Sequence, residues 1–263
     1  MMSTTRLLKG IGRLYVGLLL AFLYLPIIIM ALMSFNASPF YQLPLEWTTD
    51  WYKALAQDSQ ILAATWNSVE IAVLTTLIAT VLGTMASLAL YRHQFRGKKL
   101  LQALLFPPIA IPWLITGTAM LIFFFGIGIG RGLHAILLGH VALALPYVIV
   151  VVSARLQTFA PELEEAARSL GASQWQVTMR VTLPWIMPGV IAGALFAFAV
   201  SFDQFVVSYF LSTPGQDTLP VEIYAAIRKG FTPEINAIST IIITVSMALM
   251  LLTARFFRFG GEK

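Results

Sequence analysis

A single carboxylate, Asp203, interrupts an otherwise apolar run from Met187 to Phe210. A charge inside such a run costs roughly 2.5–3.5 kcal/mol to insert, so it usually faces a bundle interior or a water-filled cavity. Counted from Met187 along a helix, Asp203 lies about 16 residues in, or roughly 24 Å into a 30 Å core, towards the outer end of any pathway. Phe202, Phe205 and Tyr209 fall on an i, i+3, i+7 line beside it. A carboxylate among aromatic faces suits a cationic amine, through Coulomb attraction and contact with the ring quadrupoles. The same residues also describe an Asp hydrogen-bonded to a neighbouring helix beside a packing stripe. By themselves they leave both readings open.

No reactive constellation accompanies this charge. His93, His134 and His140 are scattered, and the chain has neither HExxH nor GxSxG. His93 belongs to a basic loop, and His140 reads as a hydrogen bonder between helices. Cysteine is absent, which excludes thiolate metal sites and disulfides. There is no GxxxxGK[ST] phosphate loop, so ATP hydrolysis by that route must come from another chain. Gly126-x-Gly128-x-Gly130 meets neither the Rossmann nor the P-loop spacing and follows no strand; it reads as an outer turn. The expectation is a chain that is no enzyme and itself binds no cofactor and no metal.

The elements that position Asp203 are membrane helices. Of 263 residues, 58% are hydrophobic and 11% charged, with mean hydropathy +0.81, so the solvent is lipid. The net charge of +5 lies in short clusters beside apolar runs, which suits membrane topology rather than nucleic acid. The first apolar stretch is too long for a signal-peptide core and lacks a small-residue cleavage site; it reads as an anchor. Spans are expected at about 14–35, 71–91, 103–125, 135–154, 187–210 and 235–254, taking about 20 apolar residues per crossing. No linker is long enough for a second domain, so residues 1–263 read as one transmembrane domain. With the N-terminus inside, thirteen of the seventeen Lys and Arg fall on the inner side. Both termini and the segment 155–184 are then cytoplasmic.

Several loops carry their own signals. Trp47, Trp51 and Tyr52 read as an interfacial belt or as a surface receiving a partner. Pro107, Pro108 and Pro112 crowd the start of the third span. Prolines bend a membrane helix where the freed backbone groups meet protein or water. Simple helix shaping is one reading; in the other the segment lines a pathway, with Trp113 and Thr116 as candidates to face it. Leu219, Ile223, Ala226 and Ile227 keep a helical period and predict an amphipathic outer helix.

The segment 155–184 reads as helix, turn, helix. Pro161 opens the first helix, and Glu162, Glu164 and Glu165 suit its dipole. Ala160, at the expected N-cap, is a poor capping residue. Gly171 stands at the C-terminal cap, and Ser173-x-x-Gln176 has capping-box spacing. Taken as spacing alone, this is a capped hairpin between two spans. The full pattern is Glu165-Ala166-Ala167-x-x-x-Gly171, nine residues, then Val181-x-Leu183-Pro184. It resembles the EAA signature of importer-type, MetI-like ABC transporter permeases, with Val181 in place of the family's Ile.

That resemblance implies an all-α integral membrane protein with six transmembrane helices in the type I ABC importer fold. It assigns Glu164, Glu165, Ala166, Ala167, Gly171, Leu183 and Pro184 to a coupling loop that docks on a cytosolic ATPase. It also implies two such ATPase subunits carrying ATP and Mg, a second, homologous permease subunit and a periplasmic solute-binding protein. The location implied is the bacterial inner membrane. Phe35-Asn36, Tyr91-Arg92-x-x-Phe95-Arg96-Gly97-Lys98, Ser201-Phe202-Asp203, Thr218-Leu219-Pro220 and Thr232-Pro233-Glu234-Ile235-Asn236-Ala237 resemble the polyamine branch, which carries spermidine or putrescine. In that branch a second acid often follows the Asp, whereas Gln204 stands here. Carriers of aminophosphonates, opines or other small solutes stay open on that ground. A secondary transporter would show paired repeats with broken helices, and no clear internal repeat is present.

Overall fold

The computed structural model describes residues 2–38, 42, 45–105, 107–230 and 233–259, with side chains described for those between 9 and 248. Among the described residues the chain is helical, with no strand beyond an isolated bridge between Asn36 and Trp47. The helices are α1 (Met2–Met33), α2 (Asp50–Gln57), α3 (Ser59–Arg92), α4 (Lys98–Leu105), α5 (Pro107–Ala110), α6 (Trp113–Gly126) and α7 (Leu133–Leu156). They continue with α8 (Glu162–Ser169), α9 (Gln174–Val177), a π-helical turn (Thr178–Thr182), α10 (Leu183–Phe202), α11 (Val206–Leu211), α12 (Leu219–Lys229) and α13 (Pro233–Phe259). Four helical stretches among these residues are long and apolar enough to cross a membrane: Lys9–Met33, Ser59–Arg92, Leu133–Leu156 and Gln174–Phe202. The bent pair Lys98–Ala110 and Trp113–Gly126 makes a fifth if it is one span, and Pro233–Ala248 is a shorter apolar helix.

The residues fall into two compact units. In the first, Met1–Leu62 with Ile223–Lys263, α13 packs on α1 and α2. The most apolar window of α1 has no buried residue, as suits a helix facing lipid. Of Trp47, Trp51 and Tyr52, the last two bond back to their own chain. The Trp51 indole donates to the Asn36 carbonyl at 2.8 Å, and the Tyr52 hydroxyl meets Ser34 Oγ at 2.6 Å. Both rings are half-buried because their polar atoms close the loop after α1, while Trp47 stays exposed.

The second unit, Ala63–Glu222, is built on α7. Ala79 of α3, Ala144, Val148, Val152 and Leu156 of α7, and Ile186 and Ala197 of α10 make one core. Ile71, Phe124, Ile136, Leu143, Val207 and Leu211 make another. Small residues let these helices approach closely, as packing within lipid requires. A Cβ on Gly83 would lie 2.7 Å from Val148 Cγ1, and one on Gly189 would lie 2.7 Å from Arg155 Cβ.

Several helices depart from the expected spans. Helix α3 begins twelve residues before Ile71, because Asp58 accepts the Gln60 and Ile61 N–H groups and caps it. The third span is not a straight helix over 103–125. It bends sharply at Ile111-Pro112, and α6 starts only at Trp113. Pro112 has no N–H to carry the ladder through. The run 187–210 is likewise split, for α10 stops at Phe202 and α11 starts at Val206. Helix α12 forms where the period predicted an amphipathic helix, although Glu222 is buried alongside Leu219 and Val221. Within the polyamine-type motif at residues 232–237, Thr232 lies outside the described residues, as do the side chains of the last span beyond residue 248.

Candidate functional site

Helix α8 forms where three acids precede two alanines, with amide–carbonyl bonds from Leu163 to Ala160 and from Glu164 to Pro161 opening it. Its end is a Schellman motif: Gly171 N–H bonds Arg168 C=O at 2.9 Å, and Ala172 N–H bonds Ala167 C=O at 3.1 Å. The motif needs a left-handed residue, and Gly171 has φ +86°. The capping box then forms as the spacing predicts, with Ser173 and Gln176 bonded reciprocally at 2.8 and 3.3 Å. Beyond it the helix widens into the π turn, where Leu183 N–H reaches the Thr178 carbonyl. Pro184, which can donate nothing, sits at the restart of the α-helical ladder.

The acids of α8 divide by direction. Glu165 is exposed, as are Ala166, Gly171 and Pro184; Ala167 and Leu183 are half-buried. Glu164 instead turns inward and is 8% exposed. Arg92, the last residue of α3, donates to Glu164 at 2.6 Å, to Thr178 at 2.8 Å and to Thr182 at 3.0 Å. Thr182 also donates to Glu164 at 2.6 Å, and Arg168 donates at 3.0 Å. Burial pushes the Glu164 carboxyl up, but the Thr182 and Arg92 hydrogen bonds and the charges of Arg92 and Arg168 outweigh it. The carboxyl is held below its ordinary value. Glu164 therefore holds the hairpin from behind, and the face left open is carried by Glu165 and Ala166. Two residues that the EAA pattern does not mark share that exposure: Leu170 is 90% exposed and Trp175 70%.

Around Asp203 the chain breaks. Asp203 caps α10, is exposed, and makes no ion pair with any described residue. The expected line of Phe202, Phe205 and Tyr209 needs a continuous helix and does not form. Phe202 stacks on Phe198 at 5.8 Å on one side of the break, while Phe205 pairs with Tyr209 at 5.5 Å on the other. Helix α6 packs on α11, with Gly117 against Phe210 and Val206. Trp113, at the start of α6, is 38% exposed, and the Thr116 hydroxyl is buried with no hydrogen-bond partner among the described residues. Behind the break lies a polar knot missed by sequence reading except for His140 as a helix–helix bonder. His140 of α7 meets Ser201 at 2.9 Å and Ser208 at 3.0 Å, and Gln204 is buried between them in sequence. The remaining signal was the run Ser201, Gln204, Ser208, polar positions in an apolar stretch.

The family model for "Binding-protein-dependent transport system inner membrane component" matches residues 79–259. The chain is 37% identical over 249 residues to the spermidine/putrescine transport system permease protein PotC of Escherichia coli K12, covering 94% of this chain and 92% of that one. It is 38% identical over 229 residues to the putrescine transport system permease protein PotI of the same strain, covering 84% and 82%. A probable molybdenum ABC transporter permease of Haloferax volcanii is 29% identical over 95% of the chain and 92% of its own length. A bacterial ABC transporter involved in alginate import shares the fold with TM-score 0.78 at 16% identity, over 97% of this chain and 98% of that one. The MetNI methionine transporter matches at TM-score 0.62 and 20% identity, over 80% and 98%. This multi-pass helical chain, with its capped Glu-Ala-Ala hairpin, belongs to the inner-membrane-component family of binding-protein-dependent transport systems, the permease subunits of ABC importers.

Proposed function

We propose that this chain is a permease subunit of an ATP-driven importer for a polyamine, spermidine or putrescine, in the bacterial inner membrane. The observation that carries the reading is the 37% identity to a spermidine/putrescine permease over nearly the whole of both chains. In this reading residues 1–263 form one transmembrane domain of six spans with cytoplasmic termini. The bent α4–α6 segment is the third span, the broken α10–α11 segment the fifth, and α13 the sixth. Two cytosolic ATPase subunits carrying ATP and Mg, a second, homologous permease and a periplasmic solute-binding protein complete the assembly.

Glu165, Ala166, Ala167, Gly171 and Pro184 then present the ATPase-coupling face, with Glu164 and Leu183 holding it in place. Nucleotide-driven closure of the ATPases moves the hairpin, and the bundle alternates between outward and inward access. Such coupling requires the two states of the bundle to bind the ATPases with different affinity. Asp203, with Phe202, Phe205, Tyr209, Trp113 and Thr116, contributes to the substrate pathway. An exposed carboxylate with no ion pair among the described residues suits an ammonium cargo and disfavours an oxyanion such as molybdate.

The test is reconstitution of the chain with its native partners in proteoliposomes and measurement of labelled putrescine and spermidine uptake. Expected are ATP-dependent uptake of at least one polyamine and a loss of about tenfold in Asp203→Asn, with ATPase association unchanged. Uptake of an aminophosphonate or an opine with no polyamine uptake would remove the cargo assignment and leave the permease. Uptake without ATP would indicate a secondary transporter and remove the coupling.

A further inference from the structure

No glycine or proline stands at Asp203-Gln204-Phe205, so local sequence does not break the helix there. The break is spanned from outside, by His140 of the neighbouring helix α7. In a continuous helix the backbones of Ser201 and Ser208 stand about 10.5 Å apart along the axis, two turns apart on one face. In the structure a single ring bonds both, Nδ1 to Ser201 at 2.9 Å and Nε2 to Ser208 at 3.0 Å. The bonds fix each other's direction. Ser208 donates its one hydroxyl proton to the Gln204 carbonyl at 2.8 Å. Towards His140 it can therefore only accept, so the ring carries its proton on Nε2, and Ser201 donates to the bare Nδ1. One neutral tautomer completes the set. Gln204, 1% exposed, turns its side-chain carbonyl to the Val206 N–H at 3.2 Å and starts α11.

We propose that His140 is the positioning residue for the site around Asp203: by bridging Ser201 and Ser208 it holds the start of α11 against the end of α10 and so fixes Phe205 and Tyr209 relative to the carboxylate. The inference rests on the pathway reading of Asp203. Asp203 itself stays in register with α10, its N–H bonded to the Ala199 carbonyl at 3.1 Å, so without the bridge it is the α11 side of the site that shifts.

A double-mutant cycle on putrescine uptake tests it, using His140→Leu, Asp203→Asn and the pair in the reconstituted complex. Expected are a rise of about tenfold in KM for each single variant and no further rise in the pair, because His140 acts through Asp203. Multiplying effects would make His140 a purely structural residue and overturn the proposal. An unchanged KM in Asp203→Asn would overturn the pathway reading and the proposal together, so the two failures are distinguishable. Ser208→Ala, which removes one end of the bridge, runs the same cycle if His140→Leu fails to assemble. The chain has no cysteine, so Asp203→Cys supplies one thiol for a second readout. His140→Leu should change its labelling rate by a cationic thiol reagent about tenfold, as a shift in the displayed state requires. An unchanged rate would overturn the proposal whatever the cargo.

Discussion

Arg92 donates to Glu164 at 2.6 Å across 72 residues of sequence, tying the end of α3 to the first turns of α8. The pair is largely shielded, with side chains 18% and 10% exposed, and Thr182 bonds both partners. The hairpin is thus joined to the long helix α3 as well as to α10, which follows it in the chain.

Removing Glu164 leaves Arg92 shielded without a carboxylate, and removing Arg92 leaves Glu164 with only Arg168 and Thr182. Breaking a buried pair costs about 3–5 kcal/mol, and the partial exposure of Arg92 places this pair near the low end. Arg92→Ala or Glu164→Ala should lower the unfolding midpoint in detergent and reduce transport per ATP hydrolysed. The charge swap Arg92→Glu with Glu164→Arg should recover part of both. Equal coupling ratios in wild type and single variants would show that the clamp carries no motion.

The clamp also sets a pH dependence. Glu164 is held below its ordinary value of 4.5, so its stabilisation is fully present above that value. It is lost as pH falls through the lowered folded value. The gap in unfolding midpoint between wild type and Glu164→Gln should be constant near neutral pH and shrink only in acid below that ordinary value.

Gly171 is open to solvent, and nothing lies within 4 Å of where a Cβ would stand. A side chain there meets no neighbour, only the penalty of φ +86°, about 1–2 kcal/mol for a residue other than glycine. Gly171→Val should therefore leave the membrane bundle intact and misdirect the hairpin, seen as weaker co-purification of the ATPase. Unchanged co-purification would show that the turn is not read by the partner.

Leu170 and Trp175 gain nothing from the fold in their exposed positions. Leu170→Asp and Trp175→Ala should leave the unfolding midpoint within about 0.5 kcal/mol of wild type, as for ordinary surface changes. Both should weaken ATPase association, measured by co-purification or binding in detergent. Association at wild-type strength would remove these residues from the interface.

Close helix packing yields a prediction of the opposite kind. Gly83→Leu forces a side chain into Val148, whose Cγ1 stands 2.7 Å from the modest Cβ alone. Overpacking of this sort costs about 1–3 kcal/mol. The variant should lose stability in a thermal scan while a solvent-facing change such as Gly171→Ala should lose less.

Much of the hairpin was legible in the sequence because its determinants are local. Glycine at a left-handed cap, and Ser173 with Gln176 at capping-box spacing, act within one turn of helix and formed as read. Apolar runs likewise marked the helices, since twenty residues without charge have one cheap environment. The direction of Glu164 was not legible. It stands beside Glu165 and looks the same in composition, yet one faces Arg92 and the other solvent, and only the return of α3 to that spot distinguishes them.

A lipid-embedded helical chain, a capped acidic hairpin and one carboxylate set in an apolar run all follow from periodicity, capping and hydropathy, which are short-range properties of the chain. Tertiary structure decided that α10 ends at Phe202, that Phe202 and Phe205 face different partners, and that Asp203 is displayed at a break. No residue at 203–205 demands that break. An imidazole from α7, 61 residues away from Ser201, spans it by offering two buried hydroxyls their hydrogen bonds at once, and such a partner is invisible until the chain has folded.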